Sequence, residues 1–265
     1  MNIYLQDLRS LRKSVLIWAA SLSFVVVFYM ALYPAFSRDS RLVAAVMSNL
    51  PQSAMDMMGI SPETFTTMLG FYTFTLTYLI LCGAVQAMNT GIGVLAKEAS
   101  GKTADFLLTK PVSRANVLSA KLLAALTALA FTSIVVLAVA LLMASSVSAQ
   151  ALDYALFLKL SLPLFFVQVI FAVLGFFIAA IAPKIKAVLP LSLSIVFLFF
   201  IIGLIQSALK YKDLRFLTPF KYFDLDYILV HASYEGIFAA FSMSIIAVSV
   251  TLSFLVYINK DISAA

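Results

Sequence analysis

Six long apolar stretches, separated by shorter polar segments, dominate the 265-residue chain. Each has about 20 or more mostly apolar residues, which is the length that an α-helix needs to cross a hydrocarbon core of about 30 Å. The pattern predicts transmembrane helices at approximately residues 15–33, 70–96, 118–143, 155–181, 188–208 and 236–258. We therefore predict an all-α integral membrane protein with a single transmembrane domain over residues 1–265.

Two segments outside the spans also have helical spacing. The residues that share one face of the N-terminal segment are Tyr4, Leu8, Leu11 and Val15. This spacing predicts an amphipathic helix in the membrane interface before the first span. The alternative is a charged flank of that span. In the loop of residues 34–69, the spacing in SRLVAAVMSNL and the position of Pro51 in PQSAMDMMG predict short helices near the outer surface.

Composition and charge agree with a membrane protein. Hydrophobic residues make up 63% of the chain and charged residues 11%. If the N-terminus is cytoplasmic, eleven of the 18 Lys and Arg residues fall on the cytoplasmic side together with only four acidic residues. This asymmetry follows the positive-inside rule and predicts that both termini are cytoplasmic. Lipid head groups account for the net charge of +6, so we expect no nucleic-acid partner.

Polar residues inside the spans are few. No acidic or basic residue falls near the middle of a span, which disfavours an ion-coupled carrier. The second span contains Gln86, Asn89 and Thr90, and two of them share a helix face with Gly83 and Gly93. Such a face is typical of a helix-packing seam, and the alternative is that it lines a substrate path.

The last outer loop offers the only candidate chemistry of another class. Asp224 and Asp226 form a D-x-D pair, and His231 is the only histidine of the chain. A membrane enzyme or assembly factor that uses these three residues is therefore an alternative. An isolated D-x-D pair is weak support for a metal site, and the chain contains no hydrolase motif such as H-E-x-x-H or G-x-S-x-G. We expect no metal site.

The polar run GVLAKEASGKTADFLLTKPVSR, residues 93–114, contains the tripeptide GKT. A P-loop reads G-x-x-x-x-G-K-[ST] and follows a strand, whereas here Ala96 stands at the first glycine position and a helix precedes it. The run is therefore not an ATP site. It predicts a short amphipathic helix in KTADFLLTK, a stop at Pro111 and a new helix capped by Ser113. On pattern alone, the short helix docks on a soluble partner or rests on the membrane.

The run KEASGKTADFLLTKPVSRANVLSAKLL resembles the signature of type-2 ABC exporter permeases, which is approximately [RK]-E-x-x-x-G-T-x-x-x-L-L-[ST]-x-P-[VI]-S-R-x-x-[IV]-x-x-x-K. The matching residues are Lys97, Glu98, Gly101, Leu107, Leu108, Thr109, Pro111, Val112, Ser113, Arg114, Val117 and Lys121. The chain departs from the pattern where Lys102 separates Gly101 from Thr103. It also carries Asp105 near a position where the family has Glu.

The resemblance implies a six-span permease subunit of an ATP-driven exporter in a prokaryotic plasma membrane. Such a subunit works with a second permease, identical or paralogous, and with two copies of a separate ATPase. The ATPase binds ATP and Mg, so this chain would need no cofactor and would not be an enzyme. The resemblance implies a cytoplasmic coupling helix between the second and third spans.

The resemblance also suggests which residues carry function. The expected ATPase interface comprises Glu98, Gly101, Lys102, Thr103, Asp105, Phe106, Leu107, Leu108 and Arg114. The substrate would pass along faces of the first, second and fifth spans, with Gln86, Asn89 and Thr90 as candidate contacts. Because the spans are rich in Phe and poor in charge, we expect an apolar or amphipathic substrate such as a drug, lipid or peptide.

Overall fold

A computed structural model describes residues 3–38, 45, 49–60, 64–100, 113–148, 152–182 and 185–259, without the side chains of residues 38 and 97–100. The α-helices are α1 (Ile3–Arg38), α2 (Gln52–Met58), α3 (Met68–Ser100), α4 (Arg114–Val147), α5 (Tyr154–Ile181), α6 (Val188–Leu209), α7 (Leu225–His231) and α8 (Gly236–Asn259). Two 3₁₀-helices, Lys212–Leu217 and Pro219–Lys221, lie between α6 and α7. The described residues contain no strand.

Six of these helices, α1, α3, α4, α5, α6 and α8, are long and apolar enough to cross a membrane. They coincide with the six predicted spans, so the prediction of an all-α membrane protein is confirmed. The short helix α2 begins directly after Pro51, as predicted. Most of the segment SRLVAAVMSNL and all of residues 101–112 lie outside the described residues, so the helices predicted there stay predictions.

The N-terminal segment is helical, as predicted, but it continues into the first span without a turn. At 1.5 Å per residue, the 36 residues of α1 are about 54 Å long, which exceeds the hydrocarbon core of about 30 Å. Its apolar face packs against protein, because Leu11 lies in a cluster with Val94 of α3 and Leu118 of α4. This contact joins the segment to the bundle, and its position in the membrane interface stays a prediction.

The centre of the bundle is the contact between α3 and α5. Within an apolar 18-residue stretch of each helix, 67% of the residues are buried in α3 and 56% in α5, against 17% in α6 and in α8. The two backbones approach closely, because a Cβ added at Gly91 would lie 2.1 Å from the carbonyl oxygen of Ala172. Nearer the other end of the pair, Tyr72 stacks on Phe157 with 4.3 Å between ring centroids. Glycine and flat rings therefore set the spacing of the two central helices.

The other spanning helices surround this pair. The helix α1 packs mainly against α4, α8 packs against α5, and α6 packs against α3. Their outward faces carry exposed apolar side chains such as Phe24, Ile134, Phe197 and Met243. Such faces are expected on helices whose surroundings are lipid or another membrane subunit.

The alternating direction of the spans gives the bundle two distinct ends. At one end α1, α4 and α6 begin, and α3, α5 and α8 terminate; we call it the N-terminal end. The opposite end carries α2, the two 3₁₀-helices and α7. There the polypeptide after α6 folds back on the bundle, where the Thr218 hydroxyl donates to the Phe199 carbonyl over 2.8 Å. Residues 93–114 therefore connect α3 and α4 at the N-terminal end.

Two glycines of α3, only two positions apart, allow a matched test of this packing. We expect Gly91→Ala to destabilise the protein by about 1–3 kcal/mol, since the added methyl group would force α3 and α5 apart. A Cβ at Gly93 meets nothing within 4 Å, so Gly93→Ala should leave stability unchanged or slightly raised. Thermal unfolding in detergent measures both variants. Equal melting temperatures for the two would contradict the close α3–α5 contact.

Candidate functional site

The predicted ATPase interface falls largely outside the described residues. Gly101, Lys102, Thr103, Asp105, Phe106, Leu107 and Leu108 are not described, and of Glu98 only the backbone, within α3, is described. The predicted cap of the following helix is confirmed, because the Ser113 hydroxyl accepts from the Asn116 amide over 3.2 Å. The helix α4, which follows residues 101–112, therefore begins with a side-chain N-cap at Ser113.

Arg114, the last residue of the predicted interface, connects two helices. Its Nη1 donates to the carbonyl oxygen of Ile258, near the end of α8, over 3.1 Å. A cation at the C-terminus of a helix is favourable because it faces unpaired carbonyl oxygens and the negative end of the helix dipole. The start of α4 is thereby joined to the end of α8. The expected contact of Arg114 with an ATPase stays a prediction.

Lys121, one turn further into the bundle than Val117, ties α4 to two more helices. Its ammonium group lies 3.4 Å from a carboxylate oxygen of Asp7 in α1 and 3.2 Å from the carbonyl oxygen of Val94 in α3. The Lys121 side chain is only 6% exposed. A buried ammonium group needs such acceptors, because its transfer out of water is otherwise costly. Lys121 therefore holds the beginnings of α1 and α4 against the end of α3.

The middle of the bundle contains a buried amide network, and it includes Gln86. The Gln86 amide nitrogen donates to the Thr132 hydroxyl over 2.9 Å, and the Gln86 amide oxygen accepts from Gln168 over 3.2 Å. The Ser133 hydroxyl in turn donates to the Gln168 amide oxygen over 2.7 Å. Both glutamines are almost fully buried. The amide group of Gln86 thus connects α3, α4 and α5, as in a packing seam.

The other two candidate path residues, Asn89 and Thr90, line a cavity of ≈ 410 Å³. The cavity lies at the N-terminal end between α1, α3 and the connection from α5 to α6. Its other lining residues are Ser10, Leu11, Ser14, Gly93, Ala96, Ile185, Lys186 and Val188. The polar face of α3 that was identified in the sequence therefore has two parts with different surroundings. Gly83 and Gln86 contact neighbouring helices, whereas Thr90 and Gly93 border open space.

Comparison with known families agrees with this architecture. The family model described as ABC-2 family transporter protein matches residues 1–262, which is nearly the whole chain and includes the run of residues 93–114. The chain belongs to the ABC-2 transporter family. Families of this kind supply the membrane subunit of a transporter, which is not its catalytic subunit and generally works with an ATPase partner. A search of curated proteins finds no match.

The opposite end of this ABC-2 family protein shows what the D-x-D pair does in the fold. The Asp224 carboxylate accepts from the backbone amides of Asp226 and Tyr227, each over 3.0 Å, and so caps α7. The ring of His231 stacks on that of Tyr227, with 4.1 Å between centroids. Within the part of the chain that the structure describes, no group of three or more His, Cys, Asp or Glu side chains is placed to hold a metal. Asp224 and His231 therefore have structural roles at α7.

Two ion pairs at this end were not foreseen from the sequence. Arg215 pairs with Glu235 and also lies over the ring of Phe238, 3.9 Å from its centroid. Asp56 of α2 pairs with Lys210, at the end of α6, over 2.8 Å. The partners in both pairs are distant in sequence and follow no short motif. Charged residues are rare in this chain. An isolated charged residue is therefore the sequence signal that could have indicated a partner of opposite charge.

The three-helix contact of Lys121 gives a stability prediction. We expect Lys121→Met to destabilise the ABC-2 protein by about 3 kcal/mol, since it leaves Asp7 and the Val94 carbonyl without their cation. Lys13→Met, at an exposed position of α1, is the control and should change stability by less than about 0.5 kcal/mol. Thermal unfolding measures both. A double-mutant cycle with Asp7→Asn should show coupling, and strict additivity would refute the contact.

The Asp56–Lys210 pair gives a pH prediction. Burial alone would raise the pKa of Asp56, but hydrogen bonds from Lys210 and Gln52 outweigh it, so that the pKa is lowered. A lowered folded-state pKa stabilises the protein above about pH 4, the ordinary value, and this stability is lost as the pH falls further.

We therefore expect Asp56→Asn to lower stability by about 0.5 kcal/mol at pH 7, a small value because Lys210 is largely exposed. The difference between Asp56→Asn and the unaltered protein should shrink as the pH falls below about 4. The matched control is Asp213→Asn, at an exposed position, and thermal unfolding is measured for both variants across the same pH range. A constant difference between pH 3 and pH 7 would exclude the proposed role of the carboxylate.

Proposed function

We propose that this chain is the permease subunit of an ATP-driven exporter that moves an apolar or amphipathic molecule, such as a drug, lipid or peptide, out of the cell. Two copies of a separately encoded ATPase bind at the N-terminal end of the bundle, which faces the cytoplasm, as do both chain termini. A second permease, identical or paralogous, completes the transport path in the plasma membrane of a prokaryotic cell. The observation that carries this proposal is the family match over residues 1–262.

The geometry of the N-terminal end supports the coupling role of residues 93–114. This segment joins α3 to α4, and α4 is tied at its start to α8 through Arg114 and to α1 and α3 through Lys121. A force applied by an ATPase between Glu98 and Ser113 therefore reaches four spanning helices within two turns of α4. Chains of packed side chains and hydrogen bonds of this kind can carry coupling between the site that receives the force and the elements that move.

The position of the cavity supports the proposed substrate path. Asn89 and Thr90 lie in the membrane-spanning helix α3 but at the end nearest to residues 93–114. A path that begins there lies next to the proposed ATPase contact. The cavity volume of ≈ 410 Å³ falls within the range of about 300–1,000 Å³ that is usual for small-molecule sites.

Purification of the chain in mild detergent from its native host tests the proposal. We expect a soluble P-loop ATPase to purify with it in stoichiometric amount, because ABC-2 permeases generally work with an ATPase partner. Deletion of residues 102–110 should abolish this association. Arg114→Ala should weaken it less, since Arg114 acts in the fold by holding α4 against α8.

The matched control is Lys212→Ala, an exposed cation at the opposite end of the bundle, which should leave the association unchanged. A chain that arrives without any ATPase would refute the proposed function. So would an ATPase whose binding is indifferent to the deletion, because the coupling segment would then have no role.

A further inference from the structure

The cavity at the N-terminal end has a composition that selects for one chemical class of ligand. Its apolar lining consists mainly of Leu11, Ala96, Ile185 and Val188. Its polar lining residues are Ser10, Ser14, Asn89, Thr90 and Lys186. Apolar walls with a few convergent polar groups are typical of small-molecule sites, in which the polar groups fix the orientation of the ligand.

Among the residues that the structure describes, the charge that lines this cavity is positive. Lys186 is the one charged side chain among the described lining residues, and it is exposed in the bend that precedes α6. On the adjoining turns of α1, Arg9, Arg12 and Lys13 are also exposed, while the carboxylate of Asp7 is already paired with Lys121. A mouth lined by one sign of charge attracts ligands of the opposite sign.

We infer that this cavity binds an anionic amphiphile, with its acidic head group at Lys186 and Asn89 and its apolar chain against α1 and α3. Lys186 supplies a charge-assisted hydrogen bond to the head group, and the hydroxyl of Ser14 donates a further hydrogen bond to it. The inference rests on the proposed function, because it names the substrate class of the proposed export path.

Gly93 determines whether an apolar chain has room. A Cβ at Gly93 meets no atom within 4 Å, whereas one at Gly91 would collide with the backbone of α5. Gly93→Leu therefore places its side chain in the cavity without disturbing the contact between α3 and α5. Gly236, at the start of α8, is equally open and lies at the opposite end of the bundle, so that Gly236→Leu is a matched control.

Photolabelling of the purified full-length chain tests the inference. The probes are an alkyl phosphate and an alkyl trimethylammonium of equal chain length, each with a diazirine on the chain. The chain is placed in vesicles of phosphatidylcholine, and labelled peptides are identified by mass spectrometry. We expect the phosphate probe to label peptides that contain Ser10–Ser14 or Asn89–Ala96, and the cationic probe to label them far less.

The variants distinguish a built site from nonspecific insertion. Lys186→Glu should reduce phosphate labelling by about tenfold, the effect of losing one charge-assisted hydrogen bond, and Gly93→Leu by at least as much. Gly236→Leu and Lys212→Glu should label like the unaltered chain. Because Lys186 is exposed, its substitution tests the site even if Gly93→Leu fails to fold. Equal labelling by both probes, labelling that survives Lys186→Glu, or the absence of labelling would overturn the inference.

A second arm identifies the source of the anionic amphiphile. If phosphatidylglycerol added to the vesicles abolishes labelling, the ligand is a membrane phospholipid; if labelling persists, it is a single-chain amphiphile. Both results support the anionic site. The labelling requires no ATPase, so it can succeed when no ATPase purifies with the chain, which would refute only the exporter. An ATPase that does purify with a chain that remains unlabelled would refute only the inferred ligand.

Discussion

The close approach of α3 and α5 positions the other spanning helices of the bundle. Lipid provides no hydrophobic drive for helices to associate, so spanning helices are held by close packing and by hydrogen bonds between them. Gly91 and Gly175 supply the close packing, because a side chain at either position would strike the backbone of the other helix. Gln86 and Gln168 supply the hydrogen bond. The outer helices then assemble around a fixed central pair.

Two parts of α3 have different surroundings, and their polar residues have different roles. Where α3 lies against α5, its polar groups serve packing, as Gln86 does. Towards the N-terminal end, open space borders α3 at Thr90 and Gly93, and the ≈ 410 Å³ cavity forms there. The same end holds the Lys121 contact that unites α1, α3 and α4. A candidate ligand cavity and a candidate point of force transmission thus lie next to each other on one rigid helix.

The spans and the fold class could be predicted from the sequence because they depend on local composition: a long apolar run must be a helix in lipid. The cap at Ser113 was likewise predictable from its neighbours. The division of the polar face on α3 was not, since helical spacing places Gln86, Thr90 and Gly93 together but does not say which neighbour each one meets. The Lys121–Asp7 pair joins residues 114 positions apart, and no local pattern encodes such a contact.

We propose that residues 101–112 bind an ATPase, and site-specific photo-crosslinking in intact native cells tests this proposal. A benzoylphenylalanine at Phe106 is compared with one at Phe197, an exposed apolar position on α6. The probe at position 106 should capture a soluble P-loop ATPase, while the probe at position 197 should capture only lipid or membrane protein. If the probe at position 106 captures no ATPase, or captures only lipid, residues 101–112 do not form the ATPase contact.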